Sequence, residues 1–339
     1  MSPTRPAYQA WCGIDVAAKS FTATWTTNRA SFAPPLTAPQ TPDGIATLQQ
    51  ALTSLGLPPT DILIVLEATG SYWISLAVAL HTAGFAVSIV NPKQVYHWAQ
   101  SLPRRGKTDA LDARMLTQYA WERQPRCWTP PPAVYHELRQ RLSARDGLVS
   151  LRQNARNQLH ALRQWPVQVT AALQPLEQII SDLDSQIAEL ETAIAQVLRD
   201  GAWAASAELM QSIIGIGPLT TAWVLVLTVN FERCPTAEAA ANYAGLIPLP
   251  RESGTSVRGR GQLGHDGNVR LRTALYRATV TAARFNPLIK AFYERLLTAG
   301  KPRKVARCAA ARKLLLLIYA VVNKQRPFDP AYGQAAVSG

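Results

Sequence analysis

The chain has 339 residues, 47% of them hydrophobic, and a formal net charge of +13 at pH 7. This length and apolar content suffice for two or three domains with buried cores. The four cysteines are scattered and none forms a CxxC pair, which argues against a zinc site and a disulfide framework. Residues 1–10 hold no apolar signal-peptide core, and the apolar run at residues 314–322 is too short to span a bilayer. We therefore expect a soluble cytoplasmic protein with no membrane partner.

The first 125 residues show alternating strand and helix patterns. In chain order, the predicted elements are strands at residues 11–15 and 21–26, a weak strand near residue 31, a helix at 45–55, a strand at 62–67, a helix at 71–83, a strand at 86–90 and a helix at 109–121. Three strands followed by helix and strand alternation is the order of an RNase H-like α/β domain. We predict this fold for residues 1–125.

Four acidic residues occupy three marked positions in this pattern. Asp15 and Glu67 each close an apolar run of strand length. Asp109 and Asp112 lie three residues apart at the start of a helical pattern, where they would share one face. Carboxylates gathered in this way repel each other unless divalent cations neutralise them, and Mg²⁺ prefers such oxygen ligands. The pattern predicts a two-metal site for phosphoryl transfer.

A second interpretation of these acids is local and structural. An Asp that follows a strand often forms a turn or caps a helix. Asp109 could cap the helix that follows it, and Asp112 could pair with Arg114 or Lys107. Neither role accounts for Glu67, which ends a strand predicted to be buried.

A proline-rich joint at residues 125–132 ends the first pattern, and residues 133–205 are predicted to form a helical coiled-coil spacer. Its heptad a/d positions are Leu173, Leu176, Ile180, Leu183, Ile187, Leu190, Ile194 and Val197. The same seam fits a coiled coil with another chain and a hairpin packed on residues 138–162 of this chain. Residues 206–330 are predicted to form a mainly helical domain, followed by a tail at residues 331–339.

Gly215 and Gly217 mark a tight turn between two helical patterns. This arrangement is typical of a helix-hairpin-helix, whose turn amides can hold a nucleic-acid phosphate. The alternative is an ordinary glycine turn between packed helices.

Most of the net charge lies near the C-terminal end. Residues 251–313 hold 15 Lys and Arg against three acids, a net charge of +12, which fits a polyphosphate partner. The candidate nucleic-acid contacts in this region are Arg251, Arg258, Arg260, Arg270 and Arg272. Residues 245–261 are predicted to form a glycine- and arginine-rich loop that contains Ser253. From its chemistry alone, the Ser253 hydroxyl fits a phosphate hydrogen-bond donor better than a nucleophile, because an unactivated hydroxyl is a weak nucleophile.

The sequence resembles the DEDD transposases of the insertion-sequence-110 group, which are bridge-RNA-guided serine recombinases of bacterial and archaeal mobile elements. The matching motifs are Gly13-Ile14-Asp15, Glu67-Ala68-Thr69-Gly70, Asn91-Pro92, Lys107-Thr108-Asp109 with Asp112-Ala113-Arg114, Gly215-Ile216-Gly217, Ala244-Gly245-Leu246-Ile247-Pro248, Glu252-Ser253-Gly254 with Val257-Arg258-Gly259, and Leu271-Arg272 to Tyr276. They occur in family order along nearly the whole chain. The spacer matches in helical character only.

The resemblance implies a fold and a set of roles. The first domain would be RuvC-like, with Asp15, Glu67, Asp109 and Asp112 as Mg²⁺ ligands, and the last would be a transposase domain with Ser253 as nucleophile. A structured guide RNA, the bridge RNA, would pair with donor and target double-stranded DNA, as in other RNA-guided systems. Dimers would join into tetramers, and acids of one subunit would complete the site around the serine of another. The expected location is the nucleoid of a bacterial or archaeal cell.

Two rival functions stay open at this stage. The first is a hydrolytic nuclease, similar to a Holliday-junction resolvase or RNase H, in which the acids activate water. The second is a nucleic-acid-binding scaffold with a degenerate site. The presence of all four acids argues against the scaffold, and the Glu-Ser-Gly motif argues against the nuclease.

Overall fold

The computed structural model describes residues 8–100, 108–253, 257–263 and 267–331, and gives only the backbone for residues 249–253 and 257–263. The chain divides into two compact units, Met1–Pro130 and Pro131–Gly339. The boundary falls inside the proline-rich joint. A separate spacer domain at residues 133–205 stays a prediction.

The first unit contains a five-stranded sheet. Its strands are β1 (Ala10–Val16), β2 (Ser20–Thr26), β3 (Leu36–Pro39), β4 (Ile62–Glu67) and β5 (Ala86–Val90). The order across the sheet is β3-β2-β1-β4-β5. The pairs β1–β2 and β2–β3 are antiparallel, while β4 runs parallel to both β1 and β5. This mixed α/β arrangement is consistent with the predicted RNase H-like domain.

The third strand does not lie near residue 31, so that prediction was wrong. The Oδ1 of Asn28 accepts hydrogen bonds from the amides of Ala30 (3.0 Å) and Ser31 (2.9 Å). An Asx-type turn of this kind uses the amides that a strand would pair. The strand begins only at Leu36, after the two prolines at 34 and 35.

Both faces of the sheet are covered. The first unit's helices are α1 (Pro42–Thr53), α2 (Trp73–Thr82), α3 (Pro92–Ala99) and α4 (Asp109–Arg123). In β4, Ile62, Ile64 and Leu66 join one apolar cluster, and Leu63 and Val65 join another on the opposite face. Burial on both faces explains why this strand is continuously apolar. The short helix α3, which is capped by Asn91, was not predicted.

The second unit begins with a helical hairpin of α5 (Ala133–Leu162) and α6 (Thr170–Asp200). Ion pairs link this hairpin: Arg145–Glu191 (2.6 Å), Arg156–Asp184 (2.9 Å) and Arg163, the C-cap residue of α5, with Glu177 (2.6 Å). Arg152 also pairs with Asp184. Ile187 and Ile194 of the heptad seam are buried. The structure therefore contains the intramolecular hairpin, which was one of the two open interpretations of the seam.

The rest of the second unit is mainly helical. Its elements are α7 (Ala204–Gln211), α8 (Pro218–Thr228), α9 (Ala237–Tyr243), β6 (Pro248–Ser253), β7 (Val257–Leu263), α10 (Val269–Phe285), α11 (Pro287–Thr298) and α12 (Arg303–Lys324). Residues from α8, α10 and α12 join one buried apolar cluster with residues of the α5–α6 hairpin. Within the part of the chain that the structure describes, no helix is both long enough and apolar enough to cross a membrane.

Candidate metal centre and nucleic-acid interface

Two of the four predicted acids lie at the carboxyl ends of adjacent parallel strands, Asp15 as the penultimate residue of β1 and Glu67 as the last residue of β4. Ile14 of β1 lies opposite Leu66 of β4 in a parallel pair. The next residues, Asp15 and Glu67, therefore lie side by side at the same edge of the sheet. Both are partly exposed. The hydroxyl of Thr69 donates a hydrogen bond to Oε1 of Glu67 at 3.1 Å.

The other two acids lie in the first turn of α4, where they were predicted. The cap of this helix is Thr108, whose Oγ1 accepts a hydrogen bond from the amide of Leu111 at 3.2 Å. Thr108 therefore fills the capping role that the alternative interpretation gave to Asp109. Asp109 is exposed and Asp112 is partly buried. Lys107 of the same motif lies outside the described residues.

Gly13 sets the close approach of α4 to β1. A Cβ atom at this position would lie 2.2 Å from the amide nitrogen of Thr117 and 2.4 Å from the carbonyl oxygen of Ala113. Only glycine leaves room for the helix backbone at this distance. Since Ala113 follows Asp112 directly, this contact brings the first turn of α4 to the strand that carries Asp15.

Thr117 holds the helix on the sheet through its hydroxyl. The Gly13 amide donates to Thr117 Oγ1 at 2.9 Å, and this hydroxyl lies 2.9 Å from each of two acceptors, the carbonyl oxygens of Thr24 and Ala113. The hydroxyl proton can bond only one of them fully at a time. Thr117 is completely buried. Sequence patterns did not indicate this residue, because nothing about a threonine at an apolar position of a helix shows that it will bond to strands distant in the chain.

The electrostatics of Asp15 show that the four acids influence one another. Burial raises the pKa of Asp15 above its ordinary value, and the carboxylates of Asp112, Asp109 and Glu67 raise it further. A hydrogen bond with the Val16 backbone acts in the opposite direction. These effects disfavour the charged form of Asp15, and a bound cation would favour it.

The donor set fits a hard divalent cation, because it consists of carboxylate oxygens whose mutual repulsion a cation would relieve. Among the described residues, no group of three or more His, Cys, Asp or Glu side chains is already arranged to hold a metal ion. The four acids are therefore close enough to affect the pKa of Asp15. Their side chains are not arranged as a complete set of metal ligands among the described residues.

The Thr117 hydroxyl gives a stability prediction. If packing alone mattered, Thr117→Val would be more stable than Thr117→Ser, because valine keeps both γ substituents in the buried space. We expect the reverse order, since valine leaves the buried Gly13 amide without its acceptor, at a cost of about 1–3 kcal/mol, whereas serine loses one methyl group, about 1 kcal/mol. Urea denaturation of the two variants measures the order. A valine variant as stable as the serine variant would contradict this role.

The backbone around Ser253 is a two-stranded hairpin, so the loop predicted at residues 245–261 was wrong over β6 and β7. Ser253 is the last residue of β6 and lies opposite Val257, and Glu252 lies opposite Arg258. Glycine, proline and arginine conceal the alternation that marks a strand, which explains the error. Residues 254–256, including Gly254, lie outside the described residues, as do the side chains of Arg251, Arg258 and Arg260.

The predicted glycine turn joins α7 to α8 and packs against α10. Gly215 has a φ of +99°, and a Cβ at this position would lie 2.8 Å from the backbone nitrogen of Ala282. Gly217 is the N-cap residue of α8. Phosphate binding by this turn stays a prediction.

The two predicted arginines of α10 have different surroundings. The guanidinium carbon of Arg270 lies 4.4 Å from the centroid of the Trp223 ring, and its Nη2 pairs with Asp146. Arg272 donates a hydrogen bond to the carbonyl oxygen of Ala244 at 3.4 Å. The charges of Arg277, on the same helix, and of Arg145 and Arg139 on α5 lower the pKa of Arg270. The sequence did not indicate Arg139 and Arg145 as contacts, because α5 is far from α10 along the chain.

Comparison with protein families gives two matches. Residues 12–164 match a transposase family defined by the DEDD domain of IS110, and residues 207–294 match the transposase family IS116/IS110/IS902. The first match contains all four acids, and the second contains Ser253.

Individual proteins are also similar to this chain. The chain is 32% identical to the pilin gene-inverting proteins of Moraxella lacunata and Moraxella bovis over 268 residues, which cover 78% of this chain and 81% of each relative. It is 30% identical over 115 residues, 34% of this chain and 28% of the relative, to an uncharacterized 43.6 kDa protein of insertion element IS110 from Streptomyces coelicolor.

Proposed function

Because this chain belongs to the IS116/IS110/IS902 family of transposases, we propose that it is an RNA-guided DNA recombinase that inserts and excises a mobile element. The observation that carries this proposal is the convergence of Asp15, Glu67 and the first turn of α4 in a chain of this family. The proposed attacking group is the hydroxyl of Ser253.

The four acids are proposed to hold divalent cations, with Mg²⁺ as the ion. Bound Mg²⁺ would neutralise the carboxylates, polarise the scissile phosphate and favour ionisation of the attacking hydroxyl. The protein's contribution is geometric. Strand register fixes Asp15 beside Glu67, and the contacts of Gly13 and Thr117 fix α4 against the same strand.

The proposed covalent step conserves ester bonds. The oxygen of Ser253 attacks a DNA phosphorus, a serine–phosphate ester forms, and the bond from phosphorus to the adjacent nucleotide oxygen breaks. The serine proton ends on the released DNA hydroxyl. A different DNA hydroxyl can then reverse the attack and rejoin the strand, so this exchange needs no ATP.

The proposed partners are a guide RNA and two double-stranded DNA segments, donor and target. The net charge of +12 in residues 251–313 supports a polyphosphate partner. The antiparallel strands β6 and β7 carry Ser253 together with Arg251, Arg258 and Arg260. A dimer that assembles into a tetramer is part of the same proposal.

Inversion of a DNA segment is a second candidate outcome of the same chemistry. It is favoured by the similarity to the pilin gene-inverting proteins, which covers 81% of their length. Insertion and inversion differ in where the two recombining sites lie, and not in the bonds that break and form. A plasmid that carries two sites in opposite orientation would reveal inverted products.

The test of the proposed function is reconstituted recombination. Purified protein is mixed with Mg²⁺, a donor plasmid, a target plasmid and RNA transcribed from the noncoding DNA beside the gene. We expect sequenced junctions only when this RNA is present, and a new target when its target-pairing loop is changed. Junctions formed equally well without RNA would contradict guidance, and cut ends that are never rejoined would favour a hydrolytic nuclease.

A further inference from the structure

Helices α5, α8 and α10 of the second unit enclose a cleft of about 210 Å³. Its polar and aromatic walls are Arg145 and Asp146 from α5, Thr220 and Trp223 from α8, and Arg270 and Arg277 from α10. We refer to it as the Trp223 cleft. The predicted Mg²⁺ ligands and Ser253 are not among its lining residues.

Guanidinium groups outnumber carboxylates around this cleft. Arg270 and Arg139 lie over the Trp223 ring, at 4.4 and 5.6 Å from its centroid. Asp146 is shared, because it pairs with Arg270 and also with Arg145 at 3.2 Å. With Arg277, the group contains four arginines and two carboxylates, Asp146 and Glu191, of which Glu191 pairs with Arg145 from the α6 side.

The arginines act on one another electrostatically. Burial lowers the pKa of Arg270, and the charges of Arg277, Arg145 and Arg139 lower it further. The Arg270 side chain is nevertheless 40% exposed, so a ligand can reach it. Four like charges that two carboxylates only partly neutralise are stabilised by an added anion.

The size and the donors of the cleft indicate which anion fits. Pockets that enclose a whole small molecule usually measure about 300–1,000 Å³, so the smaller Trp223 cleft suits one phosphate of a longer chain. Planar guanidinium groups bind phosphate oxygens in pairs. Thr220 and Thr273 add hydroxyl donors, and Thr220 lies in the first turn of α8, where backbone amides favour anions.

We propose that the Trp223 cleft binds one phosphodiester of a nucleic-acid backbone. Asp146 pairs with Arg270 in the free protein, and the bound phosphate takes the place of Asp146 as the partner of Arg270. This inference rests on the proposed action on nucleic acids, and it adds a backbone contact that is independent of base sequence. Base identity plays no part in it, because guanidinium–phosphate bonds carry no sequence information.

The proposal predicts effects of opposite sign for two neighbouring residues. Arg270→Gln removes a phosphate contact, so affinity for nucleic acid should fall on the order of tenfold. The slope of log K against log salt should also become shallower by about 0.7–0.9. Asp146→Asn removes the competing carboxylate while keeping its shape, so affinity should rise several-fold. A purely structural role of the pair predicts that both variants weaken binding.

Fluorescence anisotropy across a salt series tests these effects. The probes are a labelled DNA duplex of arbitrary sequence and a labelled RNA hairpin, so a loss with one probe or both identifies the strand that occupies the cleft. Arg141→Gln is the matched control, since it removes the same charge from α5 at a residue that pairs with Glu137 outside the cleft. Thermal unfolding of each variant checks that the fold is retained.

The outcomes separate this inference from the proposed function. Equal affinity and equal salt slope in Arg270→Gln and Arg141→Gln, with both probes, would overturn the phosphate site. Weaker binding by Asp146→Asn would overturn the displacement of Asp146. Because the assay measures binding alone, a protein that shows the expected effects and forms no recombination junctions would reject the proposed function and retain the cleft.

Discussion

Replacement of Asp15 by Asn is expected to abolish DNA recombination while leaving nucleic-acid affinity close to its original value. Asp112, Asp109 and Glu67 all raise the pKa of the Asp15 carboxyl group, which ties this residue to the other three acids. Loss of one carboxylate would weaken cation binding where the phosphate charge must be stabilised. We expect the rate to fall by at least about 10²- to 10³-fold, the range for loss of one electrostatic contact to the transition state. Glu67→Gln, Asp109→Asn and Asp112→Asn should behave alike.

A stability measurement gives a second readout for the same variant. The pKa of Asp15 is raised in the folded protein, so the fold disfavours the charged carboxylate. The free energy of unfolding should therefore fall as the pH rises from the ordinary pKa of an Asp through the raised pKa of Asp15. At neutral pH and without divalent ions, Asp15→Asn should therefore melt at the same temperature as the natural protein or higher. Mg²⁺ should raise the melting temperature of the natural protein and raise that of the variant less.

Asp43→Asn is the matched control for this experiment. Asp43 is an exposed acid in the first turn of α1, within the same unit, and it is not among the acids that influence Asp15. Its replacement should leave recombination and the Mg²⁺ shift unchanged. Full recombination by Asp15→Asn, or full activity of the natural protein in EDTA, would contradict a metal role for these acids.

Replacement of Ser253 by Ala is expected to eliminate recombination. Removal of an attacking hydroxyl typically lowers the rate by on the order of 10⁴- to 10⁶-fold. RNA and DNA binding should persist, because alanine is compatible with the end of a strand. Ser256→Ala is the control, as its hydroxyl is not the attacking one in the matching motif. A Ser253→Ala protein that still forms junctions at an appreciable rate would contradict the assignment.

Much of the first unit could be predicted because its central strands are continuous apolar runs, and because an acid near the end of β1 and of β4 marks where each run stops. The run from Ile62 to Leu66 is buried throughout, and such a run is distinctive in sequence. The position of β3 could not be predicted in the same way, since the turn made by Asn28 depends on side-chain bonds to nearby amides. The strands around Ser253 were missed because glycine and proline are rare inside strands.

The candidate site divides along similar lines. Asp15, Glu67, Asp109 and Asp112 could be named because each lies near the end of a strand or the start of a helix that the sequence marks clearly. Thr117 could not, because its function depends on a strand more than 90 residues away in the chain. The Trp223 cleft was also hidden, since it joins residues of α5, α8 and α10 that meet only in the folded protein.

The measurement that tests the central claim most directly is the trapping of a covalent protein–DNA adduct. A DNA substrate with a nick opposite the cleavage site is incubated with protein, guide RNA and Mg²⁺, because the nick lets the released end diffuse away before it can be rejoined. We predict an adduct that survives denaturation and yields, by mass spectrometry, a peptide phosphorylated at Ser253. Ser253→Ala should give no adduct, and Ser256→Ala should give a normal amount. Free DNA ends without any adduct, formed equally by the natural protein and by Ser253→Ala, would instead establish water as the nucleophile and contradict the serine mechanism.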